Sequence, residues 1–252
     1  MLAAGDGGRL GHHTASLPKP LVILNGRRLI DYTIEALESA GVDELVVVTG
    51  YRGDQLREAL RARAHRLALS FVENPRYEGG ASLSLLAARE ATHHEPFLLV
   101  MSDHVFSAPL IRALIAAAGP AGQRRCVVAA DYGAHSPGYI DEATKLGIDA
   151  QGLVTAIGKS LPHWQALDAG GFVLTPEVWD AAASVAAECE LSVIFSELAR
   201  RRQLFAADIT GAFWYDIDTE GDLAEASALL RRPGPPSPIA MGEGRGEGGA
   251  HG

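Results

Sequence analysis

The chain opens MLAAGDGGRLGHHTASLPKPL, with glycines at 5, 7, 8 and 11 directly after an apolar stub at 2–4. A glycine-rich turn that follows a strand presents backbone N–H groups, and these can close around phosphate oxygens. That requirement points to an α/β chain with the turn at the carboxyl end of a strand. The loop is not a P-loop, because no Gly-Lys-Ser/Thr follows it. It is not the dinucleotide fingerprint, because Leu10 stands where the last glycine belongs. Two cations sharpen the reading. Arg9 lies inside the loop, and Lys19 sits between Pro18 and Pro20. The prolines stiffen the backbone around Lys19 and aim its ammonium at the phosphates. A buried parallel strand usually runs about five or six residues, so the first strand is expected to be a stub, or the native start lies upstream.

Apolar runs alternate with helix-like segments along the rest of the chain. Strands are expected at 44–49, 67–73 and 97–102, with helices at 29–40, 54–64, 82–91 and 107–118. In the second half, strands at 125–131, 144–149, 153–158 and 166–174 have few helices between them, which predicts antiparallel additions. Helices at 176–187 and 191–202, strands at 204–208 and 213–217 and a closing helix at 220–231 complete the pattern. The fold class expected is α/β. It is a Rossmann-like, mostly parallel sheet with helices on both faces and antiparallel strands added in the second half. Residues 1–231 are expected to form a single domain. Residues 232–252, rich in Pro and Gly, are expected to be disordered.

The formal net charge of -9 argues against a nucleic-acid partner. Anionic small molecules must then be held by a few locally placed cations. Of the 22 basic residues, three are lysines, Lys19, Lys145 and Lys159, and the rest are arginines. A lysine kept against that bias suits a place where a compact point charge is needed and a guanidinium fork does not fit. Cys126 and Cys189 match no metal or redox spacing and read as thiols in a reducing compartment. No apolar run approaches the roughly 18 residues of a membrane span. Met1 runs straight into the loop with no leader pattern. A cytoplasmic protein without membrane insertion is therefore expected.

Asp103 directly follows the apolar run FLLVMS, so it falls at the carboxyl end of a central strand, where α/β sheets place ligands. A distant segment, FWYDIDT, supplies Asp216 and Asp218. If that segment continues as a strand, the two point to opposite faces, so one meets the site and Asp218 is free to cap the closing helix. His104 reads equally as a pocket-lining or a structural residue. The pairs His12-His13 and His93-His94 read as solvated.

Taken together, LAAG-x-G-x-R-L, P-K-P-L and L-x-G-R-x-L-I-D-Y-T (24–33) resemble the signature of the nucleotidyltransferases that make nucleotide sugars. The resemblance implies that Leu2, Ala3, Ala4, Gly5 and Gly7 contact base and ribose. It implies that Arg9 and Lys19 hold the phosphates of an NTP and stabilise departing pyrophosphate. It further implies that Asp103 and Asp216 ligate Mg²⁺, an ion suited to oxygen ligands and phosphates.

Four further segments narrow the resemblance: MSDHVFS (101–107), EATKLGID (142–149), IGKSLPHWQALDAGGFVL (157–174) and FWYDIDTEGDL (213–223). They look like the inositol-1-phosphate cytidylyltransferases, known alone or fused to a membrane phosphotransferase. On that likeness Lys159 meets the acceptor's phosphate, and Lys145 lies on the acceptor side or near the phosphates. Asp168 and Glu142 accept hydrogen bonds from acceptor hydroxyls. Where that family shows an Asn before a Ser-Leu pair, this chain has Ala81 in EGGASLSL (78–85), leaving Gly79, Gly80 and Ser82 to meet a pyrimidine edge. The expected reaction is Mg²⁺-dependent transfer from CTP to inositol-1-phosphate. Alternatives are a phosphocholine cytidylyltransferase, a sugar-1-phosphate nucleotidyltransferase using another NTP, and a non-catalytic nucleotide-binding relative. No membrane domain is expected within the chain, so a membrane CDP-alcohol phosphotransferase is expected as a separate partner.

Overall fold

The computed structural model describes residues 1–231 except 15, 134 and 136. The expected tail at 232–252 lies outside the described residues. The chain begins with β1 (Leu2–Ala3), then a hairpin of β2 (Ile23–Leu24) and β3 (Arg27–Arg28). Next come α1 (Leu29–Ser39), β4 (Glu44–Thr49), α2 (Gly53–Arg61), β5 (Ala68–Glu73) and α3 (Ala81–Ala87). The middle holds β6 (Phe97–Val100), β7 (His104–Phe106), α4 (Ala108–Ala117), β8 (Cys126–Asp131) and α5 (Pro137–Glu142). Then follow β9 (Lys145–Ile148), β10 (Val154–Gly158), β11 (Ala166–Leu174), α6 (Glu177–Ala183) and α7 (Leu191–Arg200). β12 (Leu204–Asp208), β13 (Trp214–Asp216) and α8 (Glu220–Leu230) close it.

Strands β5, β4 and β1 pair in parallel. A parallel bridge from Leu2 to Met101, with Ser102 N donating to Leu2 O, carries β1 on to β6. β11 then inserts antiparallel to both β6 and β8, and β12 adds parallel to β8. The spatial order is therefore β5-β4-β1-β6-β11-β8-β12. The β9–β10 hairpin attaches antiparallel to the start of β11. The antiparallel character expected for the second half is present, except that β12 runs with β8.

Alternation along the strands builds two cores. Ala3, Val47, Val100 and Val127 face α1, α2 and α4 through Ile34, Leu56, Leu60 and Leu110. Their neighbours Leu2, Val48, Leu99 and Val128 face α3, α6 and α7 through Leu85, Trp179 and Phe195. The sheet is thus covered on both faces, as its near-continuous apolar strands require. A third cluster lies beside the glycine loop. Leu10, Leu24, Val105, Tyr215, Ile217 and Leu229 join the loop, the β2–β3 hairpin, β7, β13 and α8. Leu10 is fully buried there, which stabilises the loop's position by about 1.5–3 kcal/mol.

Three elements were not expected: the β2–β3 hairpin, β7 and α5. The hairpin turns through Asn25 and Gly26, both with positive φ, an arrangement that Asn-Gly favours. β7 is three residues long, too short for a periodicity to show. Helix α6 stops at Ala183, short of the expected 187, and the chain beyond it is held against α3. Ser82 Oγ donates to Ala187 O and accepts from Cys189 N. No helix among the described residues is long and apolar enough to cross a membrane.

Candidate functional site

The candidate site lies where β1 and β6 leave the sheet side by side. Their carboxyl ends deliver the glycine loop and Asp103 to the same place, a crevice position typical of ligand sites in α/β sheets. The antiparallel pair β7–β13 then brings the end of the chain back. Asp216 pairs in register with His104, and Ile217 N donates to Asp103 O.

Lys19 is the hub. It is nearly buried, and its Nζ donates to Asp103 Oδ2 at 3.1 Å and to Asp218 Oδ1 at 2.8 Å. Its stem crosses Gly7, whose φ is +66°, and a Cβ at Gly7 would lie 2.6 Å from the Lys19 Cβ. Arg9, two-thirds exposed, reaches back to Asp218 Oδ2 at 2.8 Å. Asp103 Oδ1 is engaged by His104 Nδ1 at 2.9 Å, and the same nitrogen lies 3.5 Å from Asp216 Oδ1. The His104 ring stacks on Phe106 and lies against Gly170, a residue with φ of +75° and no room for a Cβ.

These charges set one another's protonation. Burial pushes the Lys19 ammonium down, but Asp103 and Asp218 outweigh it and raise its pKa. Burial pushes the Asp103 carboxyl up, yet Lys19 and His104 hold it well below the usual range. Against burial, the Asp216 charge and the Asp103 hydrogen bond push His104 up to about 9. Asp216 is raised to about 6, by burial first and then by the Asp103 and Asp218 charges. Asp168 is likewise raised to about 6 by burial, although Gly170 N donates to it at 2.9 Å.

Among the described residues, Asp103, His104 and Asp216 offer ligand atoms that all lie within 4.8 Å of one another. Asp216 Oδ1 is buried and has no hydrogen-bond partner. An orphaned buried carboxylate oxygen is costly, and a hard divalent cation is a fitting partner for it.

The remaining expected residues fall around this centre. Leu2, Ala3 and Ala4 are buried at the end of β1. Ala4 O accepts from Tyr51 N at 2.9 Å. At Gly5, nothing lies within 4 Å of where a Cβ would stand. Gly80 precedes α3 at its N-cap with φ of +102°, and a Cβ there would meet Cys189 O at 2.7 Å. The Ser82 hydroxyl expected to meet a base is instead taken up by Ala187 and Cys189.

Lys145 is buried, with Nζ donating to Ala143 O at 3.3 Å and to Lys159 O at 2.7 Å. It braces the backbone of Lys159 and does not present a free ammonium. Lys159 is exposed just beyond β10, and Glu142 is exposed at the end of α5. The register of β9 places Lys145 beside Gly158 and Leu167, so Lys159 and Asp168 share one end of that subsheet.

Asp218 differs from its expected place. Helix α8 is capped by Thr219, in a capping box with Asp222, and not by Asp218. The strand stops at Asp216, so alternation does not extend to Asp218, and the turn swings its carboxylate onto Lys19 and Arg9. The roles of Asp218 and Gly170 were missed in the sequence. The D-x-D spacing was visible, but the strand's end was not. A cavity of about 440 Å³ opens elsewhere, lined by Leu60, Arg61, His65 and Phe71 near the sheet edge. Its lining includes no carboxylate and none of the residues of the candidate site.

Comparisons with known proteins agree with this geometry. Residues 1–170 match the model of the MobA-like NTP transferase domain. The chain is similar to the bifunctional IPC transferase and DIPP synthase of Rubrobacter xylanophilus. It is 34% identical over 236 residues, covering 91% of this chain and 51% of the relative. The protein of the same name from Thermococcus kodakarensis is 32% identical over 234 residues, covering 92% and 50%. The chain thus spans about half the length of these curated relatives. Among solved structures, the inositol-1-phosphate CTP transferase from T. maritima superposes with a TM-score of 0.77 at 24% identity, covering 91% of this chain and 92% of the other. The UDP-glucose pyrophosphorylase complexed with UDP-glucose also gives 0.77, at 18% identity, covering 91% and 96%. With a mixed sheet that delivers a glycine loop, a buried lysine and paired aspartates to one crevice, and with two-thirds of its length matched by the family model, this chain belongs to the MobA-like NTP transferase family.

Proposed function

We propose that this protein transfers the cytidylyl group of CTP to inositol-1-phosphate, giving CDP-inositol and pyrophosphate. The observation that carries the reading is the convergence of Lys19 and Arg9 with Asp103 and Asp216 at the mouth of the glycine loop. The likeness to the IPC transferases and to the inositol-1-phosphate CTP transferase supports the choice of base and acceptor.

In this reading an acceptor phosphate oxygen attacks the α-phosphorus of CTP. The bond to the β-phosphate oxygen breaks, and pyrophosphate leaves. An acceptor phosphate monoester is already anionic near neutral pH, so no general base is required. The loop's backbone, at Gly5 and Gly7, takes the nucleotide. Lys19 and Arg9 stabilise the charge that builds on the departing pyrophosphate. Lys159, braced by Lys145, meets the acceptor's phosphate, and Asp168 and Glu142 accept hydrogen bonds from its hydroxyls. Holding two polyanions within bonding distance calls for cations on both sides of the α-phosphorus. Asp103 and Asp216 would hold Mg²⁺, which supplies charge neutralisation and alignment at the phosphates.

The substrates are thus small molecules. A cytoplasmic setting, and a separate membrane CDP-alcohol phosphotransferase that consumes the product, belong to the same proposal. The test is pyrophosphate release across a matrix of NTPs and phosphorylated acceptors. Turnover with CTP and inositol-1-phosphate well above other pairs is expected. Turnover confined to phosphocholine or a hexose-1-phosphate would refute the acceptor, and preference for another NTP would refute the base.

A further inference from the structure

We infer that Lys19 and a divalent cation compete for Asp103, so that Lys19 makes metal binding wait for the nucleotide. The inference rests on the NTP and metal reading of this site and adds an order of binding to it.

Both oxygens of Asp103 are already engaged by nitrogen-bearing side chains, and one of these is the Lys19 ammonium. Lys19 Nζ holds Oδ2 at 3.1 Å, and His104 Nδ1 holds Oδ1 at 2.9 Å. Asp216 Oδ1, by contrast, is buried and holds no hydrogen bond, its nearest nitrogen being His104 Nδ1 at 3.5 Å. A divalent ion can take Asp216 without displacing a bond, but to take Asp103 it must drive one of these groups off or sit against a positive charge. His104 has nowhere to go. It is stacked on Phe106 at 5.5 Å and closed in by Gly170. Lys19 has a second seat. Asp218 Oδ1 already accepts from it at 2.8 Å, closer than Asp103.

Asp218 is itself a fixed seat. Its backbone N donates to Asp222 Oδ2 at 3.0 Å, inside the capping box of α8. Lys19 is therefore the partner that can yield. An ammonium this close to the ligand oxygen repels a second cation, and the burial of Lys19 limits the water that could screen it. A triphosphate would draw Lys19 and Arg9 toward itself and release Asp103. Nucleotide and metal then strengthen each other's binding, and the coupling is reciprocal.

The test measures Mn²⁺ binding directly, by electron paramagnetic resonance and calorimetry, on the full chain without nucleotide. Lys19→Met removes the charge and keeps the stem over Gly7. It is expected to bind Mn²⁺ on the order of tenfold more tightly than the unmodified protein. Lys19→Gln serves if the methionine variant does not fold. Lys19→Arg keeps the charge and should bind no more tightly than the unmodified protein. Adding CTP should raise Mn²⁺ affinity far more in the unmodified protein than in Lys19→Met. Asp103→Asn separates the two levels of the reading. If it loses Mn²⁺ while both neutral Lys19 variants bind no better than the unmodified protein, competition is overturned and the site stands. If Asp103→Asn binds Mn²⁺ as well as the unmodified protein, the metal assignment itself fails.

Discussion

At Gly7 the backbone sits at φ +66°, and the Lys19 stem passes through the space a Cβ would take. A methyl group there both strains the loop and pushes the lysine off line. Gly7→Ala is therefore expected to lower turnover by about 10- to 100-fold, with the larger loss in the chemical step and little change in acceptor KM. Steady-state kinetics beside a thermal melt would check this. A variant that melts normally and turns over normally would show that Lys19 is not aimed by this contact. Asp31 makes a different kind of contact, away from the site. Arg28 binds it through two bonds, at 2.8 and 2.9 Å, and Arg63 through a third at 2.8 Å. Burial raises its carboxyl, but Arg28 and then Arg63 outweigh this, so its pKa falls below the ordinary 3.8. A depressed carboxyl stabilises the fold above that unfolded-state value, and the contribution is lost as pH falls through the folded value. Asp31→Asn is expected to lower stability by about 1–3 kcal/mol at neutral pH and to flatten the acid limb of the stability curve. Urea melts from pH 7 down to pH 3 would show both effects; an unchanged acid limb would count against the assignment.

Among the elements, the pair β7–β13 matters most, because it brings the last strand back beside Asp103. β13 is anchored from below. Trp214 Nε1 donates to buried Asp131 Oδ2 at 2.8 Å, and His135 Nε2 lies 3.2 Å from the same oxygen. Burial raises the Asp131 carboxyl, while His135, Trp214 and Gly133 N hold it below its ordinary value. Trp214→Phe removes one donor from a buried carboxylate and should cost about 1–3 kcal/mol. Because Asp216 lies two residues on in the same strand, Mn²⁺ affinity should fall with it. Melting and metal titration of one variant would show whether the two losses travel together; lost stability with intact metal binding would mean that β13 does not depend on this anchor. At this scale the sequence was readable where elements are long. β11 (Ala166–Leu174) and β12 (Leu204–Asp208) have the expected bounds. The three-residue strands that build the site were less legible. β7 (His104–Phe106) is too short to show a period, and the apolar run around β13 continues past the strand's end at Asp216, which hides where Asp218 points.

In the molecule as a whole, one crevice receives residues from both ends of the chain, so a ligand there stabilises everything that converges on it. Anything that binds the folded state alone stabilises it by about 2.7 kcal/mol at one hundred times its dissociation constant. Mg²⁺ and CTP together are therefore expected to raise the melting midpoint by about 5–10 °C, and a chelator should reverse most of the shift. A midpoint that ignores CTP would remove the nucleotide from this crevice. The sequence by itself determined the order and type of the long elements, the glycine loop and the stiffened lysine, because these follow from local backbone preference and from which residues need burial. It also placed Asp103 at a strand's end. Only the tertiary structure decided which carboxylates the lysine meets. Lys19 touches Asp103 across 84 residues and Asp218 across 199, and such contacts depend on strand order and on where a short strand stops. Local periodicity carries neither. The glycine loop thus marks where phosphates can bind, while the sheet's order assigns the charges that gather there.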